Sequence, residues 1–329
     1  MKDLSDKKIL ITGGIGFVAS HILDLLVQED VEKIILVDNF VRGSKKNIQH
    51  HLTNKKVELI EADIKNINIV NTLMKDIDYC FHMAAIRINL CASDHLEAFK
   101  TLGEGSFNVA QACMKQGVKK LIAASTASVY GTADDFPTDE LHHPYNNRTF
   151  YGALKMFNEL MYRSFNETNE LDYIALRFFN LYGPRMDTDG KYTEVLIKWY
   201  KLIKEGKRPL IFGDGKQTMD FVNVLDVAKS CICAMNSDVQ DEVFNIASDI
   251  EISLEELCLE LIKAMKVDIK PEYIPVPEER RKVEVTRRKA SIVKAKKLLG
   301  FENSIPIEEG MKQLVNWLDS LETQEVEKL

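Results

Sequence analysis

The chain has 329 residues, 45% of them apolar, and its 50 acidic against 43 basic side chains give a formal charge of −7. This is enough apolar material for one large or two moderate domains, while the acidic balance argues against a nucleic-acid surface, the basic clusters "RRK" at 280–282 and "TRRKAS" at 286–291 being short. No apolar run approaches the roughly 18–20 residues that cross a membrane, and the N-terminus enters a strand-like pattern without a signal peptide's length or cleavage site, so a cytoplasmic protein without membrane insertion is expected.

Strand and helix patterns alternate from the start. "KILITG" is a first strand, followed by a helix from about Phe17 to Glu29; "KIILVDN", "VELIEAD" and "YCFHMAA" are the second to fourth strands. A long helical stretch to about Lys115 leads to a fifth strand, "KKLIAASTASVYG", and a helix from about Tyr151 to Thr168 leads to a sixth, "DYIALRFFNLYG". Parallel strands need connections of helix length, so the pattern predicts a doubly wound α/β domain of Rossmann type with a mostly parallel sheet. After "YGPR" at 182–185 come an amphipathic helix, "YTEVLIKWYKLIKEGK"; a strand, turn, strand and helix in "PLIFGDGKQTMDFVNVLDVAKSCICAM"; the short strand "VFNIAS"; and a last helix, "IPIEEGMKQLVNWLDSL". Ser253 and Glu256 form a capping-box signature ahead of "LCLELIKAM". The expected division is a nucleotide-binding domain over 1–180, completed by a segment returning near 215–248, and a smaller mixed α/β domain over 181–329 that binds substrate. The six cysteines show no CxxC pair and no histidine cluster at zinc spacing, which predicts reduced thiols and no metal.

"ILITGGIGFVASHI" closes the first strand and opens the first helix. Gly13 and Gly14 allow a tight turn and backbone approach to a pyrophosphate, with Gly16 close to the same ligand; Ala19 takes the third small position. Asp38 lies 22 residues after Gly16 at the end of the second strand, where a carboxylate accepts from an adenosine ribose and repels a 2′-phosphate, favouring NAD. An ordinary turn residue is the alternative for Asp38, and Arg42 keeps NADP open. Tyr151 and Lys155 are four apart and share a helix face. A phenol's pKa of about 10 is too high for a base near neutrality, so a neighbouring ammonium and a positive nicotinamide are expected to lower it. Thr126 would offer a hydroxyl to the reacting substrate oxygen.

With "TGGIGFVAS", "VDNF", "ADI" at 62–64, "HMAA" at 82–85, "STASVYG", "YGALK", "RFFNLYGPR" and "GDGKQTMDFVNVLDVA" in order, about nine tenths of the chain resembles the extended short-chain dehydrogenase/reductase family, in particular its nucleotide-sugar epimerases and dehydratases. The resemblance implies a tightly held NAD cofactor, contacted by Gly13, Gly14, Gly16, Phe17, Val18, Asp38, Asn39, Asp63, Ile64, Ala84 and Ala85. It also implies a catalytic trio of Thr126, Tyr151 and Lys155. Dehydratases of the family look like "TDEVYG" where this chain has Ala127 and Ser128, and decarboxylating members also tend to carry Glu there. A methyl group can neither take nor deliver a proton. The residues therefore resemble those of epimerases, with Cys91 as the one conceivable acid for a dehydratase. For the substrate, the resemblance points to Asn180 and Arg281 at the diphosphate and Phe212 near the nucleobase. Met219 replaces a common arginine, and Arg87 or Arg288 could fill the gap; Arg288 could instead meet a uronate carboxylate or be a surface residue. Asn146, Asn147 and Arg148 could reach the sugar or organise their loop. The expectation is a homodimeric NAD-dependent epimerase acting at C4 of a UDP-linked hexose or uronate, with a dehydratase or a non-catalytic binding protein as alternatives.

Overall fold

The computed structural model describes residues 2–188, 194–278 and 285–326. At its centre is a seven-stranded sheet in which every pairing is parallel. Its strands are β1 (Lys8–Thr12), β2 (Lys33–Asp38), β3 (Val57–Glu61), β4 (Tyr79–His82), β5 (Lys120–Thr126), β6 (Tyr173–Phe178) and β11 (Glu242–Ile246), in the order β3-β2-β1-β4-β5-β6-β11. Six strands were expected from the sequence. The seventh is the segment "VFNIAS", which lies within the stretch near 215–248 expected to return to this domain and pairs with β6.

Alternation along the strands builds two cores, one per face. Ile9 and Ile11 of β1, Ile122 of β5 and Ile174 and Leu176 of β6 join helices α1 (Phe17–Leu26) and α8 (Val224–Asn236). Leu10, Leu121, Ala123, Tyr173 and Ala175 point the other way, onto α2 (Ile67–Leu73), α5 (Gly105–Gln116) and α6 (Phe150–Asn169). The helical stretch after β4 is not continuous. It runs as α3 (Ile88–Ser93), α4 (His95–Ala98) and a π-helical turn (Phe99–Glu104) before α5. Asp94 breaks it, adopting φ −139° and capping the next helix by accepting from Glu97 N.

The rest of the chain packs a second lobe. In it α7 (Val195–Lys204), α9 (Leu254–Ala264) and the C-terminal helix Ile307–Val326 share a core that includes Trp199, Leu261 and Leu314. Ser253 and Glu256 form the expected capping box of α9. Three small sheets complete the lobe: β7 (Asn180–Tyr182) with β10 (Phe221–Asn223), β8 (Leu210–Phe212) with β13 (Glu272–Ile274), and β9 (Thr218–Met219) between β12 (Ile252–Ser253) and β14 (Arg287–Arg288). All six cysteines are free, and five are buried. No helix among the described residues is long and apolar enough to cross a membrane.

A buried polar network ties α6 to the sheet. Arg177 of β6 and Glu159 of α6 are 6% and 4% exposed and pair at 2.6 Å, with Arg177 Nε also donating to Glu159 at 3.0 Å. Ser125 Oγ donates to the same carboxylate, and Arg177 Nη1 donates to Tyr130 Oη at 2.8 Å. Tyr130 in turn donates to Asn245 of β11 at 2.7 Å. Arg177→Met would leave the Glu159 carboxylate buried without its cation, and should cost about 3–5 kcal/mol in urea denaturation. Replacing both partners with apolar residues should recover much of that loss.

Candidate active site

The first three strands run outward from β1, and the chain then returns to lay β4 on the other side of β1. Where the connections part, the carboxyl ends of β1 and β4 open a crevice, the usual ligand position in such sheets. It widens between the lobes into a cleft of about 2330 Å³. Gly13 at its floor has φ +66°, and a Cβ there would lie 2.9 Å from both N and Cα of Ala84. Only glycine meets both demands. Gly14 faces the sheet instead, where a Cβ would come 2.6 Å from Leu36 Cβ, and it does not line the cleft. Gly16 caps α1 with no side-chain bond, presenting the N–H groups of a helix start to the cleft beside Phe17 and Val18.

Asp38 closes β2 and is 8% exposed. It accepts from Ile15 N at 3.3 Å and Phe40 N at 2.9 Å, while burial raises its pKa. Asn39 donates to Asp63 at 3.1 Å. Asn108 holds the turn after Asp63 by donating to the carbonyls of Ile64 and Lys65. Asp38, Asn39, Asp63, Ile64, Ala84 and Ala85 all line the cleft. A glycine cradle at a helix start, with a buried carboxylate at the neighbouring strand end, fits a dinucleotide.

Thr126 ends β5 and turns the chain, its Oγ1 accepting from Ser128 N at 3.1 Å. Thr149 caps α6 by accepting from Gly152 N at 3.0 Å, which sets Tyr151 and Lys155 in the first turns of that helix. The three side chains line the cleft wall together, where the Thr126 hydroxyl favours the ionised Tyr151 phenol. Lys155 is 2% exposed and donates to the Ala124 carbonyl at 2.7 Å. Burial lowers its pKa to about 8. The expectation that Lys155 lowers the tyrosine's pKa is not met in this arrangement. Burial pushes Tyr151 up to about 12, and the influences opposing it are the Thr126 hydrogen bond and the charge of Arg42. The ammonium is turned toward the Ala124 carbonyl. Beneath lies His82, its pKa lowered to about 3 by burial and by Lys155, joining Thr12 Oγ1 at 2.7 Å and Ser106 Oγ at 2.9 Å.

A model of the NAD dependent epimerase/dehydratase family matches residues 9–247. The chain belongs to this family. It is 36% identical over 316 residues to a protein of Methanocaldococcus jannaschii that carries the provisional name UDP-glucose 4-epimerase, covering 94% of this chain and 98% of that one. It is 31% identical over 326 residues to a UDP-N-acetyl-alpha-D-glucosaminuronate decarboxylase of Bacillus cytotoxicus, covering 96% and 99%. Among solved structures, the UDP-N-acetylglucosamine 4-epimerase of Methanobrevibacter ruminantium M1 in complex with UDP-N-acetylmuramic acid matches with a TM-score of 0.89 at 30% identity, covering 97% and 100%.

In this member of the family, the residues expected to read substrate are only partly gathered. Asn180, Phe212, Met219 and Arg87 line the cleft. Asn180 also donates to the Asp220 carbonyl at 2.9 Å. Arg288 pairs in register with Met219, but it is not among the cleft-lining residues; burial lowers its guanidinium to about 10. Arg281 lies outside the described residues. Asn146 and Asn147 serve their own loop: Asn146 donates to Asp134, and Asn147 accepts from Thr149 N. Arg148 is exposed, and none of these three lines the cleft. Cys91 is fully buried among Ala98, Leu102 and Leu154, and burial raises its thiol to about 11. It is neither at the cleft surface nor a ready acid. Two contributors escaped the sequence reading. Trp317, near the chain's end, lines the cleft, as does Asp187, which joins Arg87 at 2.8 Å. Gly13→Ala should clash with Ala84 and strip the purified protein of dinucleotide, read as a lower absorbance ratio near 260 against 280 nm, about that of free protein.

Proposed function

We propose that this chain is an NAD-dependent epimerase acting at C4 of a UDP-linked hexose or uronate. The observation that carries this reading is the meeting of Thr126 and Tyr151 at the cleft wall on a loop whose neighbouring positions are Ala127 and Ser128. NAD, when bound, supplies the hydride chemistry, accepting hydride from the ring carbon and returning it. Asp38 accepts from the adenosine ribose, and the N–H groups at the start of α1 meet the pyrophosphate. Arg42 leans on Asp187 at 3.6 Å, so it is committed to an acidic partner rather than to a ribose phosphate; this favours NAD over NADP.

Tyr151 takes the proton of the C4 hydroxyl as that carbon is oxidised, and Thr126 shares the hydrogen bond throughout. After the keto sugar turns its other face, Tyr151 returns the proton to the C4 oxygen. Lys155 holds the strand end through Ala124 and leaves its remaining donors for the nicotinamide ribose.

Removal of water or carbon dioxide calls for an acid or base at C5. Two of the cleft's other carboxylates are engaged, Glu97 with Lys65 at 2.7 Å and Asp187 with Arg87, and Glu194 stands exposed at the start of α7, away from the Thr126 loop in sequence. Together with the buried Cys91, this supports epimerisation over dehydration or decarboxylation, although decarboxylases stand among the relatives. A non-catalytic binding protein would need no such trio of Thr126, Tyr151 and Lys155. The M. ruminantium enzyme's complex with an acidic UDP-sugar supports keeping uronates among the substrates.

We also propose a homodimer formed through α4, the π-helical turn, α5 and α6. Leu96, Phe99, Phe107, Phe157 and Leu160 stand 63%, 50%, 37%, 46% and 61% exposed along this face, a row of large apolar side chains suited to a partner. Leu160→Glu together with Phe157→Glu should yield a monomer by light scattering.

The main test is incubation with UDP-, GDP-, CDP- and dTDP-linked hexoses and uronates, read by NMR. An inverted C4 proton with unchanged mass is expected for a UDP-sugar, and loss of water or carbon dioxide would refute epimerisation. Tyr151→Phe should keep its dinucleotide and lose at least about 10²-fold in turnover.

A further inference from the structure

The two walls of the cleft are joined by one carboxylate. Asp187 follows β7 in the second lobe, and its Oδ2 accepts from Arg87 Nη2 at 2.8 Å while lying 3.6 Å from Arg42 Nε. Arg87 caps α3 just beyond β4, and Arg42 lies in the turn beyond β2, four residues after Asp38. All three line the cleft. A single oxygen from one lobe therefore gathers guanidinium groups from two separate crossovers of the other.

This arrangement has a physical cost that the shared carboxylate offsets. Burial and Arg87's charge disfavour the cation at Arg42, and Asp187 opposes them, with Glu194 at the start of α7 adding to it. The side chains of Arg42, Asp187 and Arg87 are 47%, 32% and 17% exposed. An ion pair so placed is screened less than one on an open surface.

We propose that Asp187 is a clasp: by bridging Arg42 and Arg87 it closes the second lobe over the dinucleotide and sets how long the cofactor stays bound. The proposal rests on the reading of the groove as an NAD site. A cofactor that must be regenerated within one catalytic cycle has no reason to leave, and a cross-lobe ion pair slows departure without touching the reacting atoms. Asp187 is thus a positioning residue.

The test is the exchange of bound radiolabelled NAD against excess unlabelled NAD, by filtration, in the full-length protein. Wild type, Asp187→Asn, Arg42→Gln, the double variant and Asp187→Glu are compared, with thermal melts to show that each is folded. Each neutralising change should speed exchange about tenfold, the size expected when a partly buried ion pair is lost. The double variant should be no faster than the faster single, because the two residues act through one contact. Asp187→Glu should restore most of the slow exchange, and 1 M salt should bring wild type toward the variants. Exchange within twofold of wild type in both single variants, or fully additive effects, would overturn the clasp. So would a change confined to the KM for a UDP-sugar. Wild type that takes up no NAD at all would defeat the reading of the groove itself, and the clasp with it.

Discussion

The active centre depends on a buried ion pair that takes no part in the chemistry. Tyr151 and Thr126 belong to different elements, a helix lying on one face of the sheet and the end of a strand within it. Their meeting requires α6 to sit at one height and one rotation on β5. The paired carboxylate and guanidinium of Glu159 and Arg177, with Ser125 donating to the same carboxylate, fix that placement one residue from Thr126 and two turns along the helix from Tyr151. A buried pair of this kind is a weak source of net stability but an effective way to exclude other arrangements, because misplacement would strand either charge in a low-dielectric interior. The network reaches Tyr130 and Asn245, so β11, the strand that returns from the second lobe, shares the constraint.

Above that anchor, desolvation dominates the electrostatics. Burial raises Tyr151 and lowers Lys155, both toward their neutral forms. A phenol held near 12 is a poor base on its own, so the charge that makes it useful has to arrive in the cleft. The charge of Arg42 contributes, and an oxidised nicotinamide would add its own positive charge. A site of this design is quiet until it is filled, which suits the proposed reaction, whose keto intermediate must be kept from water and returned to the same cofactor. His82, held neutral under Lys155 and bonded to both Thr12 and Ser106, removes a competing charge from that environment.

Much of this could be read from the sequence because the informative features are local. The glycine turn, the carboxylate at the end of β2, the four-residue spacing of Tyr151 and Lys155 and the capping box at Ser253 each depend on a few neighbouring residues. Alternating apolar strands gave the sheet for the same reason. What the sequence hid depends on distant partners. A return of the chain near 215–248 was legible, but which strand it would lie beside was not, since 242–246 has the same local pattern wherever it pairs. Arg288 was expected at the substrate because it could fill the gap left by Met219; it does pair in register with Met219, yet Met219 lines the cleft and Arg288 does not. The direction of Lys155 toward the Ala124 carbonyl, rather than the phenol, is set by tertiary packing that no spacing rule contains. Trp317 reaches the cleft from the last helix, with no signal in its own surroundings.

The central claim is that a hydride leaves the sugar at C4 and returns to that same carbon, with Tyr151 handling only the oxygen-bound proton. The most direct test follows a UDP-sugar deuterated at C4 through single-turnover conversion in ordinary water, with a parallel reaction of unlabelled sugar in heavy water. The account predicts a C4 epimer that keeps its deuterium in the first experiment and gains none on carbon in the second. Loss of the C4 label to solvent, or solvent deuterium appearing at C5, would contradict it.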